Sequence, residues 1–201
     1  MAVISRDLGR TDYQKTLQTM QAFTAGRTPQ TPDEIWLTEH DAVYTLGLNR
    51  RDICFPKNNI PVVLVDRGGK ITYHGPGQAV IYILIDLKRR NLNVRQLVNI
   101  IETTIIELLA QYQINAVTKK DAPGVYIDGK KIASLGLRLK NNCCYHGLSL
   151  NVDMDLSPFE AIDPCGYVGL LMTQAKDLGI TKTAQELGKQ LLQKLSGNLN
   201  Q

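Results

Sequence analysis

The chain has 201 residues, 43% of them hydrophobic, and a formal charge of +4. That length suits one domain, with a core large enough to fold without disulfide or metal staples. No apolar run reaches the roughly 18–20 residues that cross a bilayer, and the start, MAVISRDLGRTDYQ, lacks a signal-peptide core, so a cytoplasmic protein is expected.

In chain order, apolar residues at Tyr13, Leu17, Met20 and Phe23 predict a helix from Thr11 to Ala25, capped by Thr11 and ended by Gly26. Glu34 to His40 alternates as a strand does, and Val43 to Leu46 is a second short β-like piece. Pro61 to Asp66 reads as a buried strand after a polar loop. Arg67 to Gln78 then packs four glycines and one proline into twelve residues, backbone that turns sharply or lies close against something. It follows neither the phosphate-loop order GxxxxGK(S/T) nor GxGxxG. Ala79 to Leu87 is an almost wholly apolar central strand, so the glycine-rich loop is bracketed by core strands and is well placed to wall a pocket.

Asn93 to Gln113 is the longest predicted helix, with Asn93 and Gln96 forming a capping box. Asp128-Gly129, between Val125–Ile127 and Lys131–Ala133, is a strong two-residue hairpin signal. His146-Gly147 precedes an alternating strand from Leu148 to Val152. Asp163-Pro164-Cys165-Gly166-Tyr167 is a tight loop. Thr183 and Glu186 open a terminal helix through Leu195, and Gly197 to Gln201 is expected to fray. Helices and strands alternate irregularly and strand pairs are joined by hairpins, which favours an α+β fold with a mixed or antiparallel sheet. Residues 1–201 are read as one domain, with 177–201 as a possible small helical appendage.

The cysteines, Cys54, Cys143, Cys144 and Cys165, match no zinc spacing and are read as free thiols. A thiol in a tight loop, Cys165, becomes a nucleophile only with a base or cation in reach. The candidates are His40, His74, His146 and Lys131, the last beside an apolar run that would partly desolvate it. His74 is equally an ordinary turn histidine and His146 a strand-end hydrogen bonder; the His40-Asp41 pair is given no role. Positive residues gather in Arg50-Arg51, Lys57, Arg67–Lys70 and Lys88-Arg89-Arg90. Without interleaved aromatics or a helix-turn-helix or zinc-finger pattern they point away from nucleic acid and toward an acidic protein.

Three segments in order, RGGKITYHGPGQ, DAPGVYIDGKKIASLGLR and YHGLSLNVDMDLSPFEAIDPCGY, resemble the lipoyl(octanoyl) transferase family. The likeness runs from about Leu37 to Gly169. It implies a mixed, largely antiparallel sheet with flanking helices, as in the biotin and lipoate protein ligases. The implied activity is transfer of an octanoyl group from octanoyl-acyl carrier protein to the acceptor lysine of lipoyl-domain proteins. Those acceptors are 2-oxoacid dehydrogenase subunits and the glycine-cleavage H protein, and the step opens lipoate cofactor synthesis.

The family's nucleophile falls on Cys165, which would carry an S-octanoyl intermediate, and its lysine on Lys131 rather than Lys130. Its substrate-binding segments fall on Arg67, Gly68, Gly69, Lys70, Ile71, Thr72, Tyr73 and His74, on Ser134, Leu135 and Gly136, and on Gly147, Leu148 and Ser149. No cofactor, metal or membrane is implied. Val125, Leu135 and Leu148 are candidate acyl-lining residues by position, and the N–H groups of Gly75–Gly77 are candidate oxyanion donors. Two other readings stay open: an ATP-dependent lipoate-protein ligase, and a non-catalytic domain that binds acyl chains or their carrier.

Overall fold

The computed structural model describes residues 2–51, 53–164 and 169–200. Among these residues ten strands form two sheets, accompanied by three α-helices. They follow the chain as β1 (Ile4–Thr11), α1 (Tyr13–Ala25), β2 (Glu34–His40), β3 (Val43–Leu46), β4 (Val62–Leu64), β5 (Ile71–His74), β6 (Gln78–Asp86), α2 (Val94–Ala110), β7 (Val117–Thr118), β8 (Gly124–Ile127), β9 (Lys130–Lys140), β10 (Cys143–Asn151) and α3 (Ala184–Leu199). The main sheet has the order β1-β2-β6-β10-β9-β8-β7, and a small sheet has the order β4-β3-β5. Among the described strands β1–β2 and β3–β4 pair in parallel and the other pairs are antiparallel. The expected α+β class with a mixed, largely antiparallel sheet is what the chain adopts.

The unbroken apolar run of β6 is explained by cover on both faces. Ile81, Ile83 and Ile85 point into the larger core, packed under Leu97, Ile101 and Ile105 of α2 and Leu187, Leu191 and Leu195 of α3. Val80, Tyr82 and Leu84 face the other way, toward Tyr13, Leu17 and Met20 of α1. A third cluster joins Tyr44, Leu46, Ile71 and Tyr73 of the small sheet to Phe159 and Ile162. Both predicted capping boxes form, at Asn93/Gln96 and Thr183/Glu186.

Several expectations need correction. Strand β1 was not anticipated: it is an edge strand with most residues exposed and no apolar alternation to betray it. Thr11 ends β1, and Asp12 caps α1 instead, accepting from Lys15 N–H at 2.9 Å. The Pro61–Asp66 strand shrinks to Val62–Leu64 at the edge of the small sheet, with Val62 and Leu64 exposed. The glycine-rich segment is not all loop, because Ile71–His74 forms β5 and is wholly buried. The strand expected from Leu148 begins at Cys143, since Asn141 and Asn142 both take positive φ and close a tight hairpin with β9. The tail does not fray at Gly197. Helix α3 continues to a buried Leu199, and Asn200 Oδ1 accepts from Val3 N–H at 3.0 Å.

Candidate active site

The hairpin predicted at Asp128-Gly129 turns through positive φ at both residues and delivers Lys131 to the start of β9. Its side chain is 1% exposed. The Nζ donates to the Pro123 carbonyl at 3.1 Å and lies 5.2 Å from the Tyr126 ring centroid. The Lys131 backbone is also tied to later chain: its N–H donates to Leu171 O at 2.9 Å, and its carbonyl accepts from Thr173 N–H at 3.0 Å. Cys165 lies outside the described residues. The segment bonded to Lys131 begins six residues after it (171 − 165 = 6).

Two of the predicted binding segments meet by strand pairing. Ser134, Leu135 and Gly136 of β9 face Ser149, Leu148 and Gly147 of β10, residue for residue. All six line one cavity together with Arg67, Thr72 and His74. Gly68, Gly69 and Lys70 instead line an adjoining cleft with Lys131, Val94, Val98 and Pro123. Arg67, Leu135 and Gly136 border both spaces. Ile71 and Tyr73 point away into the third core cluster, as alternation along β5 requires. Val125 is sealed in the main core, away from both spaces.

Gly136 is a place where close approach needs glycine: a Cβ there would sit 2.8 Å from Arg67 Cδ. Arg67 is buried and anchored, donating from Nη2 to Thr45 O at 2.7 Å and Thr45 Oγ1 at 2.8 Å. The arginine therefore serves as wall rather than as a surface charge.

Rings that the sequence did not flag complete the cavity. Tyr13 and Tyr82 line it beside His74 and His146. Tyr13 reads as an ordinary core-facing helix residue and Tyr82 as one member of an apolar run, so neither carries a local signal. Burial, the largest cause in each case, lowers the three histidines, with His74 pushed down to about 3. They are thus neutral near pH 7, and the hydrogen bonds assign their tautomers. His74 donates from Nδ1 to Gln78 Oε1 at 2.7 Å. His40 donates from Nδ1 to Thr11 O at 2.8 Å and accepts at Nε2 from Tyr82 OH at 2.7 Å. His146 donates from Nε2 to Asp66 Oδ1 at 2.8 Å. That bond, helped by Tyr145 OH, holds Asp66 well below the usual carboxylate range. His74 and His146 are thus fixed in the cavity wall, and His40 holds Tyr82, which lines it.

Other candidates lose standing. Burial pushes the Cys144 thiol up to about 12 and raises Cys143 as well, so neither is a ready thiolate. The Gly77 N–H donates to Glu39 Oε2 at 2.9 Å and is not available to an oxyanion. Among the basic clusters, Arg89 and Arg90 turn inward onto Asp33, whereas Arg50, Arg51 and Lys57 stay exposed. No described helix is long and apolar enough to cross a membrane.

Comparison with known proteins matches this architecture. An octanoyltransferase from Dechloromonas aromatica is 56% identical over 202 aligned residues, covering 100% of this chain and 98% of that protein. A bipartite lipoate protein ligase from Thermoplasma acidophilum shares the fold with a TM-score of 0.80 at 14% identity, over 100% of this chain and 84% of that one. A biotin protein ligase from Aquifex aeolicus, in complex with biotin and ATP, superposes with a TM-score of 0.62 at 16% identity, over 99% of this chain and 70% of that one. Residues 12–196 match the family described as the lipoyl protein ligase A/B catalytic domain, and to that family, on its octanoyltransferase side, this chain belongs.

Proposed function

We propose that the chain moves an octanoyl group from acyl carrier protein to a lysine of lipoyl-domain proteins through an S-octanoyl-Cys165 intermediate. The observation that carries the reading is the setting of Lys131. It is a buried lysine facing a cleft that borders the cavity of the paired binding segments, and its backbone is bonded to chain just beyond the cysteine loop.

In this scheme Lys131 takes the Cys165 proton and the thiolate adds to the thioester carbonyl. Collapse of the tetrahedral adduct breaks the bond to the carrier sulfur, which leaves with the proton returned from Lys131. The acceptor amine then adds to the acyl-enzyme and gives a proton to Lys131. The Cys165 thiolate departs, is reprotonated by Lys131, and an amide remains. Thioester to thioester is nearly isoenergetic and thioester to amide is downhill, so no nucleotide is consumed. The octanoyl chain runs from the Lys131 cleft past Leu135 and Gly136 into the cavity between the β9–β10 pair and Arg67. Burying it there contributes about 0.8 kcal/mol per CH₂. Arg50, Arg51, Lys57 and Lys88 are exposed charges of the basic clusters and suit an acidic carrier.

Incubation with octanoyl-acyl carrier protein followed by intact-mass measurement tests the reading. A thioester-linked octanoyl adduct is expected on the wild type and absent from Cys165→Ala. An adduct that survives in Cys165→Ala, or ATP-dependent ligation of free acid undiminished in Cys165→Ser, would sink it in favour of ligase chemistry.

A further inference from the structure

The peptide group joining Pro123 to Gly124 has both polar atoms taken by buried ionisable side chains. Its carbonyl accepts from Lys131 Nζ at 3.1 Å. Its N–H donates to Glu102 Oε1 at 2.8 Å. Glu102 comes from the inner face of α2 and is 8% exposed, an unusual place for a carboxylate on an apolar helix stripe. We propose that Glu102 is a positioning residue for Lys131, clamping a peptide plane whose oxygen accepts from the lysine nitrogen. The proposal rests on the reading of Lys131 as the proton carrier.

The physics is that of a planar unit. A peptide group rotates as a rigid body, so fixing its N–H fixes the direction of its C=O. A carboxylate on the N–H also polarises the amide, and hydrogen bonds strung through one group reinforce each other where the dielectric is low. Gly124 is what lets the lysine approach. At φ 142°, a Cβ would lie 2.8 Å from Lys131 Cε, 3.2 Å from its Nζ and 2.7 Å from Ala133 O. Burial raises the Glu102 carboxyl, while the Gly124 N–H and the charge of Lys131 pull it back down. The competing explanation is purely structural, in which Glu102 satisfies a buried N–H and stabilises the α2–β8 packing with no reference to the lysine.

A double-mutant cycle separates the two, read as the single-turnover rate of acyl-enzyme formation from octanoyl-acyl carrier protein with thermal unfolding measured alongside. Glu102→Ala is expected to slow acylation by ~10- to 100-fold, the cost of misplacing a reacting group by about an ångström. In the Lys131→Ala background the same change should slow it no further. Glu102→Gln, whose amide oxygen can still accept from Gly124, should return the rate to within a few-fold of wild type. An equal slowing with and without Lys131, or full activity in Glu102→Ala, overturns the proposal while leaving Lys131 in its role. If Lys131→Ala alone does not slow acylation, the underlying reading fails, and that result is distinct from the first two. Should Glu102→Ala not fold, Glu102→Met, close in volume and lacking the acceptor, takes its place in the cycle.

Discussion

Where β2 begins, Asp33 is fully buried and surrounded by cations. Arg27 binds Oδ1, Arg90 Nε donates to Oδ2 at 2.6 Å, Arg89 sits 3.5 Å away, and Asp86 N–H adds a bond at 2.9 Å. Where β9 begins, Lys131 is buried as deeply, but its nitrogen rests on a peptide carbonyl and beside an aromatic ring, and it borders a cleft. The first arrangement ties together the α1–β2 loop, the chain after β6 and, through Arg90 to Leu199 O, the end of α3. The second seats a lysine nitrogen on a peptide carbonyl at the edge of a cleft. On the proposed function a buried ionisable group serves once as a knot and once as a tool, and the two uses should separate under mutation.

The largest separation is expected in activity. Lys131→Met keeps most of the stem volume and should lower acyl transfer by ~10²- to 10⁴-fold, the usual worth of a positioned base. Its melting temperature should stay near wild type or rise, because replacing a buried ionisable group with an apolar one of similar volume is often neutral or stabilising. Activity assays paired with calorimetry check this; a large fall in stability with activity retained would reverse the comparison. Asp33→Ala is the mirror case. It leaves three arginines without their carboxylate and should cost about 3–5 kcal/mol. Acylation per folded molecule should stay unchanged. Urea titration gives the first quantity and single-turnover mass measurement the second, and a specific loss of acylation would show that the knot is coupled to the site.

These contrasts also mark what the sequence could carry. Helices α2 and α3 were legible because a capping box and an apolar stripe lie within a few adjacent residues. Strand β6 was legible because it is buried on both faces. Strand β1 was not, since an edge strand pairs by backbone and leaves its side chains free to be polar. At the candidate site, two of the contiguous motifs named from the sequence lie side by side because β9 pairs with β10. Tyr13, Tyr82 and Glu102 were invisible for one shared reason. Each lies on an element recognised by its apolar stripe or run, and only the tertiary structure shows what its polar atom touches.

A smaller effect tests the cavity that separates tool from knot. Gly136→Ala places a methyl 2.8 Å from Arg67 Cδ. Overpacking of this kind costs about 1–3 kcal/mol. It should fall on octanoyl thioesters more than on butanoyl ones, because the shorter chain stops before the constriction. Comparing kcat/KM for the two donors measures it. Equal losses would place the acyl chain elsewhere than between β9 and Arg67.

The smallest effect is one of pH, and it guards the comparison against a confounder. Burial holds His40, His74 and His146 below the ordinary histidine value of 6.5, with His74 at about 3. The folded protein therefore binds fewer protons than the unfolded chain in that window. Stability is complete above about 6.5 and is lost as pH falls toward the folded values, with each histidine adding up to about 1.4 kcal/mol per pH unit. Below the carboxylate range, loss of the depressed Asp66 adds a separate, more acidic step. Urea midpoints followed from about pH 7 to about pH 5 should fall in the wild type and in Asp33→Ala with the same slope, and fall less steeply in His74→Gln, by up to one proton. A slope that flattens in Asp33→Ala and not in His74→Gln would move the acid sensitivity from the cavity rings to the arginine knot.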